Sequence, residues 1–133
     1  MRPISAQDKL REVGVRITMP RIAIYNFLLE NRIHPTCDKI YTELKPSFPN
    51  LSLASVYNVT DKLCEAGLVK CLVDIKGEKH YDSVTELHGH FFCDSCSRII
   101  DVPCSESQFV DELPGASVSS IAVYIHGRCP SCN

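Results

Sequence analysis

Eight cysteines in 133 residues are the first chemical signal, and four of them form two Cys-x-x-Cys pairs, Cys93/Cys96 in FFCDSCSR and Cys129/Cys132 in GRCPSCN. Each pair on a tight turn aims two sulfurs at one point, and four thiolates are what tetrahedral zinc prefers at a closed structural site. A thioredoxin-like redox motif needs only one pair. Disulfides need an oxidising compartment, and the amino terminus MRPISAQDKL lacks the hydrophobic stretch of an export signal, so a cytoplasmic, reduced protein is expected. The 32 residues between the pairs exceed the spacing of a compact zinc ribbon, which predicts an entire substructure between them.

A second constellation overlaps the first in HGHFFCDSCSRIID. His88 and His90 are two apart, so in a strand their imidazoles project from one face. If the Cys93/Cys96 turn closes a hairpin, Asp101 falls opposite His88 on the next strand. Asp82 lies just upstream, and His34 precedes a predicted helix in IHPTCDKIY. Imidazoles with carboxylates make a mixed N/O set suited to Fe²⁺, Mn²⁺ or Zn²⁺ and less suited to Cu(I) or an iron–sulfur cluster. Local reasoning does not join His34 to the others. The remaining thiols, Cys37, Cys64, Cys71 and Cys104, read as small buried side chains, with Cys37 nearest the ligand stretch. His80 shares a strand face with Asp82, and His126 lies near Cys129.

The elements that must position these groups divide at Asp82. Residues 1–82 hold twelve Lys/Arg against ten Asp/Glu, a net of +2, whereas residues 83–133 hold two against six, a net of −4. In the first part, Ser5 to Glu12 reads as a helix stopped by Gly14, and Thr18 with Pro20 opens a second carrying Ile22, Ile24, Tyr25, Phe27, Leu28 and Leu29. Pro35-Thr36 opens a third, with Cys37, Ile40, Tyr41 and Leu44 in one stripe. Ser52 caps a fourth that runs to Ala66 and stops at Gly67. Leu53, Val56, Tyr57, Val59, Thr60, Leu63 and Cys64 share its inner side, leaving Ala54, Ser55, Asn58, Asp61, Lys62 and Glu65 outward. A hairpin around Ile75-Lys76-Gly77 follows, so the fold class is α+β, opening with a winged helix-turn-helix over residues 1–82. In a DNA-reading helix, Ser52, Ala54, Ser55, Tyr57, Asn58 and Lys62 are the candidate contacts to bases or phosphates of double-stranded DNA. Residues 83–133 read as a small α/β lobe: a strand over Arg98 to Val102, a helix over Ser105 to Leu113 with Ser105 and Gln108 as a capping box, and a strand over Val118 to His126. Zinc on the four cysteines clamps its ends.

The chain resembles the ferric uptake regulator family, and within it the peroxide-responsive repressors, through GVRITMPR, HPTCDKIY, FPNLSLASVYNVTDKL, EAGLVK, HYDSVTELHGHFFCDSC, RIIDV and GRCPSC. The resemblance implies a dimerising second lobe and a regulatory Fe²⁺ or Mn²⁺ held between the lobes by His34, Asp82, His88, His90 and Asp101. It further implies a homodimer on an inverted-repeat operator and a repressor inactivated when peroxide oxidises His34 or His88. Aspartate at Asp101, where iron-uptake regulators more often carry glutamate, favours peroxide sensing over iron, manganese or zinc homeostasis. No separate acid/base pair stands out, so no enzyme is expected. No apolar run approaches the ~20 residues of a membrane span.

Overall fold

The structure is a computed structural model that describes residues 5–133. Its chain forms two compact units, the first running to Thr85 and the second covering Glu86–Asn133. The division falls after Thr85 rather than after Asp82. Ser83 Oγ donates to the Leu28 carbonyl at 2.9 Å and Val84 N–H to Asp82 Oδ1 at 2.9 Å, which ties these residues to the first unit.

In the first unit four helices precede a hairpin: α1 Ala6–Glu12, α2 Met19–Glu30, α3 Cys37–Leu44, α4 Leu53–Glu65, β1 Lys70–Val73 and β2 Lys79–Asp82. Every helix start is capped by a hydroxyl, Ser5, Thr18, Thr36 and Ser52 each accepting the backbone N–H three residues on. At Ser5 the cap is reciprocal, with Asp8 accepting the Ser5 N–H. The end of α4 is equally specific. Leu68 N–H reaches the Leu63 carbonyl at 3.0 Å and Gly67 N–H the Cys64 carbonyl at 3.1 Å, a pairing that needs the left-handed φ of 77° at Gly67.

Leu10, Ile24, Leu28, Ile40, Val56 and Leu63 meet in one apolar core that also takes in Tyr25 and Tyr81. It fixes the roll of α4 through Val56, Val59, Thr60 and Leu63, leaving Ala54, Asn58, Asp61, Lys62 and Glu65 exposed and Ser55 half-buried. Tyr57, expected on the inner side, is instead 45% exposed. Thr60 lies inward as expected, donating its hydroxyl to the Tyr57 carbonyl at 3.0 Å.

The second unit holds β3 Gly89–Cys93, β4 Ile99–Val102, α5 Ser107–Val110 and β5 Tyr124–Gly127, with strand order β4-β3-β5. The β3/β4 pair is antiparallel and β3/β5 parallel. Three expectations change here. Asp101 pairs with His90 rather than His88, because the loop between Cys93 and Arg98 includes Ser97 at a left-handed φ of 62°. The slip is an even number of residues, so Asp101 stays on the histidines' face. The strand expected from Val118 begins only at Tyr124, since β3 starts at Gly89 and offers no backbone partner further back. The helix α5 is four residues long and buries none of them, so packing does not extend it. Of its capping box only one half forms, Ser105 N–H donating to Gln108 Oε1 at 2.6 Å.

Candidate metal centres and nucleic-acid interface

The four paired cysteines converge in the second unit. Cys93 ends β3, Cys96 sits in the following turn, and Cys129 and Cys132 follow β5, with all four sulfurs within 4.8 Å of one another. Cys96 Sγ and Cys129 Sγ are 3.7 Å apart. Zn–S bonds of about 2.3 Å at tetrahedral angles place sulfurs about 3.8 Å apart, close to the separation of the Cys96–Cys129 pair. Backbone amides reinforce the anionic form: Cys129 N–H and Cys96 N–H both donate to Cys93 Sγ, at 3.3 and 3.5 Å. These amides bring the Cys93 thiol down to about 6. Cys132 is pushed up to about 12 by Cys129, Cys96 and Cys93 in turn. Sulfurs so close resist ionising together unless a cation compensates them, which is the service zinc performs.

On the same sheet, Asp101 Oδ1 lies 3.5 Å from His88 Nε2 and 3.5 Å from His90 Nε2, and the two rings are 4.4 Å apart. His88 Nδ1 donates to the Glu86 carbonyl at 2.8 Å, which turns Nε2 toward the carboxylate. Donors to one ion with bonds of about 2.0–2.2 Å stand about 3.0–3.5 Å apart, and both carboxylate–imidazole distances meet that spacing. His90 is buried while Asp101 is open to solvent.

The first unit supplies a separate pair. His34 Nε2 and Asp82 Oδ2 are 3.5 Å apart, both almost wholly buried. Asp82 Oδ1 accepts the Val84 N–H, which leaves Oδ2 toward the imidazole. His34 has a φ of 53°, a conformation that costs a non-glycine residue about 1–3 kcal/mol and persists where surroundings enforce it. The enforcement comes from β2: Tyr81 N–H donates to the Pro35 carbonyl at 3.0 Å and His80 Nδ1 to the His34 carbonyl at 2.8 Å.

A third group, Asp74, Glu78 and His80, was not singled out by the sequence as a cluster, because it forms only when the hairpin closes. Asp74 Oδ1 accepts the N–H groups of Lys76 and Glu78, and Oδ2 meets His80 Nε2 at 2.8 Å. Burial raises the Asp74 carboxyl, but the bonds from His80, Glu78 and Lys76 together outweigh it and hold the group below the ordinary carboxylate range. The signal available beforehand was the i, i+2 relation of Glu78 to His80 just after the turn that follows Asp74. Of the other thiols, Cys37 is buried with its sulfur 3.4 Å from Thr60 Oγ1, while burial pushes the half-buried Cys64 up to about 11. His126 stacks on Phe92 rather than joining the cysteines.

Along α4, Ala54, Tyr57, Asn58 and Lys62 present side chains to solvent. Ser52 is partly committed, since its Oγ accepts the Ser55 N–H and donates to Ser55 Oγ at 2.8 Å. A helix with a polar outer face, followed by a two-stranded wing, defines a winged-helix protein, and its chain also brings together four cysteines and imidazole–carboxylate sets of the kind that hold metal ions.

The chain belongs to the ferric uptake regulator family, whose model matches residues 12–119. It is 39% identical over 132 residues to the peroxide operon regulator of Bacillus subtilis, covering 96% of this chain and 91% of that protein. The peroxide-responsive repressor PerR of Staphylococcus aureus is 35% identical over 127 residues, 92% of this chain and 86% of that protein. Among solved structures, PerR from Streptococcus pyogenes, described as a basis for peroxide sensing and gene regulation, aligns with a TM-score of 0.56 at 33% identity, over 99% of this chain and 96% of that one. No helix among the described residues is long and apolar enough to cross a membrane.

Proposed function

We propose that this chain is a metal-dependent, dimeric transcriptional repressor that senses hydrogen peroxide. A structural zinc is held by Cys93, Cys96, Cys129 and Cys132, and a regulatory Fe²⁺ or Mn²⁺ by His34, Asp82, His88, His90 and Asp101. The observation that carries the reading is the division of the N/O donors: His34 and Asp82 belong to the unit with the winged helix, and His88, His90 and Asp101 to the other. Shared ligation favours whichever arrangement of the two units lets both sets bind, and so biases the protein toward its DNA-binding state by differential affinity.

In the homodimer, two copies of α4 address the halves of an inverted repeat about one helical turn, or a multiple, apart. Ser52, Ala54, Ser55, Tyr57, Asn58 and Lys62 meet the duplex, with Asn58 suited to adenine and Lys62 to phosphate. His88, its tautomer fixed by the Glu86 carbonyl, offers Nε2 to the ion, and Asp101 adds charge beside it. Fe²⁺, if bound there, would supply reversible one-electron chemistry toward peroxide, and the two electrons that reduce the peroxide would come overall from the imidazole. In the net reaction one imidazole, His34 or His88, takes up one oxygen atom and the peroxide leaves as water. Oxidised His34 or His88 binds the ion poorly, and repression ends.

The test is to load reduced protein with Fe²⁺ without air, add stoichiometric peroxide, and weigh the peptides bearing His34 and His88. One added oxygen on either, with loss of duplex binding, is the expected result. No added oxygen with DNA binding intact rejects peroxide sensing and leaves a metal-homeostasis regulator of the same family.

A further inference from the structure

Three consecutive residues of β2 grip the short segment that carries His34. His80 Nδ1 donates to the His34 carbonyl at 2.8 Å, Tyr81 N–H donates to the Pro35 carbonyl at 3.0 Å, and Asp82 Oδ2 stands 3.5 Å from His34 Nε2. The His80 side chain, only 12% exposed, also reaches the other way, its Nε2 lying 2.8 Å from Asp74 Oδ2 in the wing turn. That carboxylate organises the turn by accepting the N–H groups of Lys76 and Glu78.

We infer that His80 is a positioning residue for His34, its imidazole holding the left-handed backbone at 34 by the carbonyl while joining that backbone to the Asp74 turn of the wing. Without this bond the segment relaxes toward ordinary backbone angles and turns the His34 ring away from Asp82, so a metal must restore the geometry before it binds. The pair Asp74 and His80 is thereby accounted for without an ion of its own. Because coupling is reciprocal, whatever orders the wing turn also favours the ligand geometry of His34. The inference rests on the reading of His34 as a metal ligand.

Four variants separate the possibilities, each titrated with Mn²⁺ against a fluorescent chelator: His80→Asn, His80→Gln, His80→Leu and His34→Ala. Asn places an amide N–H where Nδ1 stands and retains the bond to the carbonyl, whereas Gln extends toward Asp74 and Leu bonds to neither. His80→Leu and His80→Gln are expected to lose about tenfold in Mn²⁺ affinity, and His80→Asn less than about threefold. In the zinc-loaded protein without Mn²⁺, exchange of the Tyr81 amide should quicken in the Leu and Gln variants and stay slow in Asn, with α2 and α4 amides unchanged as the folding control. Equal Mn²⁺ affinity in His80→Gln and the parent, with His34→Ala impaired, overturns the role of His80 alone. So does a His80→Asn variant as weak as His80→Gln. Unchanged affinity in His34→Ala overturns the ligand reading beneath it.

Discussion

Replacing Cys129 by Ser should empty the thiolate cluster and unfold the second unit while leaving the first intact. The reason is the poverty of the second unit's interior: its buried apolar side chains are Phe92, Cys93 and Cys129, and α5 buries nothing. Burying Phe92 contributes about 1.5–3 kcal/mol. A closed zinc site contributes about 10–16 kcal/mol of folding free energy. A unit spanning Glu86–Asn133 has a net stability of only about 2–7 kcal/mol at the usual value per residue, so losing the ion removes more than the unit has. Two measurements check this, zinc per chain by atomic emission and amide exchange by mass spectrometry. The His90 and Cys93 amides, bonded to the Val123 and Arg98 carbonyls, should lose protection, while α2 and α4 keep theirs and Cys104→Ser changes nothing. A zinc-free Cys129→Ser protein that still protects the His90 and Cys93 amides would refute the reasoning, as would retained stoichiometric zinc.

Three further outcomes follow from particular residues. Asp101→Glu advances the carboxylate by about 1.5 Å past the point where Oδ1 is 3.5 Å from both His88 and His90; metal-dependent DNA binding should survive and peroxide-driven oxidation of His34 and His88 fall severalfold, and equal oxidation would contradict this. Gly67→Ala adds a Cβ that meets nothing within 4 Å, so its cost is backbone strain alone, about 1–2 kcal/mol by urea denaturation; a loss several times larger would show a steric contact instead. The Asp74 carboxyl sits below its unfolded value, so its stabilisation is complete above about pH 4 and fades as pH falls through the lower folded value. Asp74→Asn should therefore flatten the acid dependence of Lys76 and Glu78 amide exchange, and an unchanged profile would assign that dependence elsewhere.

The helical unit was legible because its signals are local. Ser5, Thr18, Thr36 and Ser52 cap the helices expected of them, and Gly67 ends α4 as its lack of a Cβ allows. What the sequence concealed depends on tertiary pairing. Nothing near Ser97 announces the left-handed residue that moves Asp101 from His88 to His90, and β5 is trimmed by the length of β3, its only strand partner among the described residues. Tyr57 lies outside the buried stripe, whereas Thr60, a polar residue, keeps its inward place by satisfying its hydroxyl on its own helix. The cysteine cluster was readable from spacing alone, whereas the grip of His80 on His34 links residues 46 apart and becomes visible only when β2 is in place.

The most direct test of the account is duplex affinity measured on one preparation, purified without air, before and after a chelator too weak to strip the thiolate zinc. The duplex is selected from a random pool with Mn²⁺-loaded protein. Removing the Mn²⁺ while zinc stays at one per chain should weaken binding by about 10–100-fold, and adding Mn²⁺ back should restore it in the parent but not in His34→Ala. Affinity indifferent to the Mn²⁺, or restored equally in His34→Ala, would contradict the claim that a metal held jointly by the two units governs DNA binding.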